Sequence, residues 1–184
     1  SVGLTEDERF LILRTSEGTS GEEIWFWDTQ DASQKNFSLL IPGFATQPSV
    51  VENIGAKLLI HTNDGAPNYK VVLIDPKNPA KGNWKTIIPE QKEVLENVST
   101  GGGYLFASFL KDASTRVHQY TYEGKLVREI KLPGIGTANG FGTEKRYNQS
   151  FYSFTSFNYP PTIFKYDIRT GQSSLYRKSE VKFK

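Results

Sequence analysis

Apolar residues along this chain fall in short runs, and Gly, Pro, Asn or Asp closes nearly every run. Runs of this length, rich in β-branched and aromatic residues, predict strands rather than helices. Twelve are legible, in four sets of three. The first set is RFLILRT (9–15), EIWFWD (23–28) and NFSLLI (36–41), and the second is KLLIHTN (57–63), YKVVLID (69–75) and NWKTIIP (83–89). The third is GYLFASFL (103–110), RVHQYTYE (116–123) and KLVREIKL (125–132). The fourth is SFYSFTSF (150–157), TIFKYD (162–167) and SSLYRK (173–178). One window, PEQKEVLEN (89–97), has a helical look, but at this length it cannot stand as an isolated helix. It predicts a turn that leads into a strand.

The sets repeat. Aligning the strands that end in an acid places Asp28, Asp75, Glu123 and Asp167 in register, at spacings of 47, 48 and 44 residues. A period in the forties with several strands per unit is the pattern of a β-propeller, whose blades are four-stranded antiparallel sheets. The expectation is an all-β propeller fragment of about four blades, roughly 1–44, 45–90, 91–134 and 135–184. FYSFTSF carries aromatic residues at both odd and even positions, which predicts a strand buried on both faces. Phe151 and Phe157 should then face one way, and Tyr152 and Phe154 the other. Pro160 and Pro161 have no N–H to donate, so the ladder should stop there and a loop begin. An immunoglobulin-like sandwich also buries some strands on both faces, but the regular period favours the propeller.

Composition narrows the class. The 184 residues are 37% hydrophobic and 23% charged, which suits one folded domain with a sizeable core. No apolar run approaches a membrane span, and SVGLTEDERF does not have the architecture of a signal peptide. A net charge of +2 is too balanced to point to nucleic acid. Residues 1–31 hold eight acids against Arg9 and Arg14, while the end, RKSEVKFK, is basic; both read as solvated surface. With no cysteine there are no disulfides, thiolate metal sites or cysteine nucleophiles. Met is absent even at position 1, which reads as a processed or excised chain. Cytoplasm and periplasm both remain open as compartments.

The search for chemistry is largely negative. There is no G-x-S-x-G elbow for a nucleophilic serine, and GTSG (18–21) lacks the spacing. His61 and His118 lie inside strand patterns and cannot complete a zinc site by themselves. GIGTANGFG (134–142) has Asn139 where a phosphate-binding loop needs its third glycine, and STGGGYLF (99–106) lacks the Lys-Ser/Thr of a P-loop. Both read as turns that need positive φ. NDGAPN (63–68) offers one carboxylate, Asp64, which is too few for calcium. Asn36, Asn97 and Asn148 open N-x-Ser triplets that chance explains as well as glycosylation. Trp25, Trp27 and Trp84 fit strand packing better than an aromatic cage. No catalytic residue, cofactor or metal is expected in these residues.

TNDGAPNYKVVLIDPKNPAKGNWKTIIPEQKEVLENV (62–98) and FYSFTSFNYPPTIFKYDIRTG (151–171) resemble the propeller domain of the prolyl oligopeptidase family of serine peptidases. The resemblance begins at LTEDERFLIL and covers essentially the whole chain. It implies a seven-bladed propeller set on an α/β-hydrolase domain, in enzymes that cleave short peptides after proline. The family's triad would belong to that other domain and maps onto no residue here. Four blades would be about the last four of seven, with VKFK (181–184) near the exit into the hydrolase domain. In such enzymes the propeller filters substrates by size. The family often carries an Arg before E-G that points to the interdomain cavity. LRTSEGTSGEE has Ser16 in that place and Arg14 two residues earlier, so Arg14, Ser16 and Thr19 become the candidate substrate-facing residues.

Two function classes follow. One is a non-catalytic propeller of a proline-specific peptidase, partnered by its α/β-hydrolase domain and, through it, by short proline-containing peptides. The other is a stand-alone propeller that binds a protein or peptide. In either case, an opened ring uncovers apolar blade faces worth on the order of 10 kcal/mol of burial each, and self-association through them is expected.

Overall fold

A computed structural model of the chain describes residues 1–178, and the sequence-based expectation for VKFK lies outside them. The described residues form four four-stranded antiparallel sheets, each with its strands in chain order. The chain divides into two compact units, Ser1–Lys92 and Glu93–Lys184.

The first unit holds two of the sheets. One is β1 (Val2–Leu4), β2 (Phe10–Thr15), β3 (Glu23–Asp28) and β4 (Ser38–Ile41). The other is β5 (Ser49–Ile54), β6 (Lys57–Thr62), β7 (Lys70–Ile74) and β8 (Lys85–Ile88), with a 3-10 turn at Lys81–Asn83. Phe10, Ile12, Ile24, Phe26, Leu58, Ile60, Val72 and Ile74 make the core between them. Polar groups also join the two sheets: Asn53 Nδ2 donates to Asp7 Oδ2 at 2.8 Å, and the Glu6 amide donates to the Glu52 carboxylate.

The second unit contains β9 (Val94–Gly101), β10 (Tyr104–Lys111), β11 (Ser114–Thr121) and β12 (Leu126–Glu129) in one sheet. Its other sheet is β13 (Thr137–Gly140), β14 (Gln149–Ser156), β15 (Tyr159–Asp167) and β16 (Ser173–Lys178). The core here is aromatic. Phe141 stacks on Tyr152 at 4.4 Å, and Phe106 meets Tyr166 edge-on at 6.0 Å. The Tyr166 hydroxyl donates to Gln119 Oε1 at 2.7 Å, and Gln119 Nε2 donates to the Ile168 carbonyl, so both sheets share one buried network.

Each of the twelve expected runs contains a strand, and PEQKEVLEN runs through a turn into β9 as expected. Three strands are absent from the sequence reading, β1, β5 and β13, each the first of its sheet, whereas β9, also a first strand, is the one PEQKEVLEN leads into. Their sequences, VGL, SVVENI and TANG, are short or broken by Gly, Asn and Glu.

Several expectations need correcting. In the third sheet the strand end that matches Asp28, Asp75 and Asp167 is Thr121, because β11 stops there and Tyr104 pairs with it; Glu123 lies in the turn beyond. The spacings then become 47, 46 and 46 residues. The repeated residue anchors a turn: Asp28, Asp75 and Asp167 each accept, through Oδ1, the amide of the second residue on. Thr121 Oγ1 instead accepts the Lys125 amide at 3.3 Å.

The strand of FYSFTSF is buried on one face only. Tyr152 and Phe154 are inside, while Phe151 is 44% exposed and Phe157, in the turn, is fully exposed. Burial on both faces belongs instead to β6, where Leu58 to Thr62 are all buried. The chain stays extended through Pro160 and Pro161 within β15, but the register skips both: Ser156 pairs with Tyr159 and Phe154 with Thr162. Within GIGTANGFG, residues 137–140 form β13 rather than a turn, whereas Gly102 and Gly103, at φ 58° and 84°, do form the expected β9–β10 turn.

Candidate functional site

Arg14, Ser16 and Thr19 all belong to the β2–β3 hairpin. Arg14 pairs with Ile24 and Thr15 with Glu23, which leaves 16–22 as the turn. Gly21, at φ 86°, lets this turn press against the next connection; a Cβ there would meet the Phe44 carbonyl oxygen at 1.7 Å. The Glu22 amide donates to the Thr46 carbonyl and the Gly43 amide to Glu23 Oε1, both at 2.9 Å. The turn is therefore held at its base by the 43–46 segment.

Of the three candidates, Arg14 reaches a cavity. It lines a cleft of about 320 Å³ together with Val2, Leu4, Ile12, Val50 and Glu52. Its Nη1 is 3.6 Å from Glu22 Oε2, and its Nε donates to Ser1 Oγ at 3.3 Å. Ser16 and Thr19 lie exposed in the turn and do not line the cleft.

Glu52 went unnoticed in the sequence. Burial pushes its carboxyl up, against the lowering effect of the Asn53 and Glu6 amides that it accepts. Nearby Asp7 goes the other way. Burial raises it, but hydrogen bonds from Asn53, the Arg9 amide and Thr5 outweigh that and hold it below the usual carboxylate range. The one available signal was an acid in the middle of the apolar run SVVENI. The cleft thus offers a guanidinium, a carboxylate and apolar walls, which can hold a short polar chain, but neither histidine lines it.

His61 is buried in β6 and stacks on Tyr69 at 4.7 Å. His118, in β11, packs on Phe109, and its Nδ1 is 3.3 Å from the Tyr120 hydroxyl. Burial pushes its pKa down, against the opposing pull of Glu129. Both are packed ring residues. Among the described residues no group of three or more His, Asp or Glu side chains could hold a metal ion. Trp27 meets Phe37 edge-on at 5.7 Å, and Trp84 packs against the first unit's core.

Residues 1–179 match the family model described as prolyl oligopeptidase, N-terminal β-propeller domain. The chain belongs to this family. A prolyl endopeptidase from Elizabethkingia miricola is 43% identical over 180 residues, which is 98% of this chain and 25% of that protein. The prolyl endopeptidase of Elizabethkingia meningoseptica matches to the same extent. Among solved structures, a prolyl endopeptidase described in connection with inter-domain dynamics in catalysis and specificity superposes with a TM-score of 0.87. It is 33% identical, over 96% of this chain and 26% of that one. The apo form of prolyl oligopeptidase B from Galerina marginata shares the fold at a TM-score of 0.82 and 23% identity, over 96% of this chain and 26% of that one. The chain therefore spans about a quarter of the length of the relatives it matches. The four sheets are propeller blades of the prolyl oligopeptidase family, and the resemblance in 62–98 and 151–171 identified it correctly.

Proposed function

We propose that these residues are the non-catalytic propeller part of a proline-specific serine peptidase and that they filter its substrates by size. The observation that carries this reading is the match of residues 1–179 to the family's propeller domain, in relatives about four times as long. The hydrolytic residues then belong to an α/β-hydrolase domain of the same gene product. The blades shield that site, admit short flexible peptides and turn away folded proteins, which is gating rather than chemistry. Arg14 lines a cleft whose polar rim can hold a peptide on its way in. An isolated chain of four blades should also associate with a second copy through its exposed apolar faces, since Val2, Leu4, Phe151, Ile163 and Tyr176 are all exposed.

The test uses the full-length gene product. It should cleave a short proline-containing peptide far faster than the same sequence inside a small folded protein. No cleavage after proline would sink the peptidase reading, and equal cleavage of both substrates would sink the filter. Arg14→Ala should raise KM for the short peptide a few-fold with kcat unchanged, as expected for a residue that binds substrate away from the chemistry. An unchanged KM removes Arg14 from the substrate path.

A further inference from the structure

In the first unit one carboxylate joins two neighbouring sheets. The Glu6 amide donates to Glu52 Oε1 at 3.1 Å and to Oε2 at 3.2 Å, and the Asn53 amide donates to Oε1 at 2.9 Å. Glu6 belongs to the turn between β1 and β2, and Glu52 to β5, so the Glu6 contact spans the gap between the sheets. Those two sheets cover each other through Phe10, Ile12, Leu58 and Ile60. We propose that Glu52 is a proton-operated latch, which as the neutral acid holds the β1–β2 turn against β5 and as the carboxylate lets the two part. The proposal concerns a motion within the fold and does not depend on the size filter.

The latch responds to protons because its charge is half-buried and unneutralised. Among the described residues no cation pairs with Glu52. The cations around it are committed elsewhere. Arg9 forks onto Asp28, Arg14 Nη1 is 3.6 Å from Glu22 Oε2, and the Ser1 ammonium donates to the Arg14 carbonyl. From β6, Leu59 pairs with Glu52, and Lys57 pairs with Ile54. Two acids of the β1–β2 turn act on it instead, Glu6 and Asp7. Burial raises the Asp7 carboxyl less than hydrogen bonds from Asn53, the Arg9 amide and Thr5 lower it, so Asp7 stays charged. For Glu52, burial pushes the carboxyl up, the two amides pull it down, and the Glu6 and Asp7 charges add to the rise.

Lifting the turn lets water reach Glu52 and returns its carboxyl to the ordinary range. The closed form therefore holds the proton more tightly than the open form, and acid favours closure. That advantage is fully present below the ordinary carboxyl range and is lost as pH rises through the raised value. The neutral acid keeps a carbonyl oxygen to accept the Glu6 amide. Residues of β1 and β5 also wall the cleft that Arg14 shares with Glu52, so the cleft widens when the latch opens.

The experiment is amide hydrogen exchange of the full-length gene product between about pH 7 and about pH 4.5, with rates corrected for the intrinsic pH dependence of exchange. The Glu6 amide should become several-fold more protected as pH falls. The Ile130 amide, which donates to the Val117 carbonyl in the second unit, should keep its protection. Glu52→Gln keeps an acceptor oxygen without the charge. It should show near neutral pH the Glu6 protection that the unaltered protein reaches in acid, with no further dependence on pH. Glu6 protection that falls in acid makes the charged carboxylate the clamp and overturns the proposal. Protection that ignores pH, or that Glu52→Gln lowers at neutral pH, overturns it as well. So does a parallel change at Ile130, which would mark a response of the whole fold.

Discussion

Arg9 and Asp28 meet in a two-point fork, Nε to Oδ1 at 3.1 Å and Nη2 to Oδ2 at 2.8 Å, with Asp28 buried. The same carboxylate accepts the Gln30 amide, so one side chain closes an ion pair and a turn. Asp28→Ala should cost about 2 kcal/mol, read as a shift in urea midpoint, because it strands a half-covered guanidinium and an amide together. The acid at the end of EIWFWD was legible in the sequence as a repeat marker. Its partner was not, since Arg9 reads as an ordinary surface charge beside Glu8. Tyr166 behaves differently. Burial pushes its phenol up to about 12, so its neutral form is favoured in the folded state. The stability this gives is fully present below pH 10 and lost as pH rises through about 12. Urea midpoints should fall across that window, and Tyr166→Phe should flatten the fall while lowering stability at neutral pH. An unchanged alkaline slope in the variant would show that Tyr166 does not set it.

Hairpins dominate at the scale of elements, and they were the most legible part of the sequence. Their strands carry apolar runs and their turns carry Gly and Asp, which is local chemistry. The first strands β1, β5 and β13 escaped because their pairing is set by a neighbour rather than by their own pattern. For the β2–β3 hairpin the sequence showed two glycines in GTSGEE without saying which of them is held in place. Gly18 has open space around it, whereas Gly21 touches the Phe44 carbonyl. Gly21→Ala should therefore displace the turn and cost more than 1 kcal/mol, and Gly18→Ala should cost less, only the strain of its positive φ. Thermal midpoints of the two variants compare them directly, and equal shifts would mean that the contact with Phe44 is unimportant. The same rigidity keeps Arg14 in the cleft wall and leaves Ser16 and Thr19 at the tip.

At the scale of the whole molecule, apolar side chains of the first and last sheets stay exposed. Val2 and Leu4 are 65% and 52% exposed, and on the last sheet Ile163 and Tyr176 are 39% and 63% exposed. If these faces drive the self-association proposed above, light scattering of the isolated chain should show a mass that rises with concentration. Val2→Lys combined with Ile163→Lys should suppress the rise. A chain that stays monomeric at high concentration ends that proposal. The sequence by itself determined the strand-rich class, the period near 46 residues and the family, because each is written in short-range pattern or in contiguous motif. Only the tertiary structure decided which face of FYSFTSF is covered, that Thr121 rather than Glu123 keeps the repeat, and that Arg14 shares a cleft with Glu52. Those outcomes depend on side chains from strands far apart in the chain, and side-chain alternation along one strand carries no information about what lies across from it.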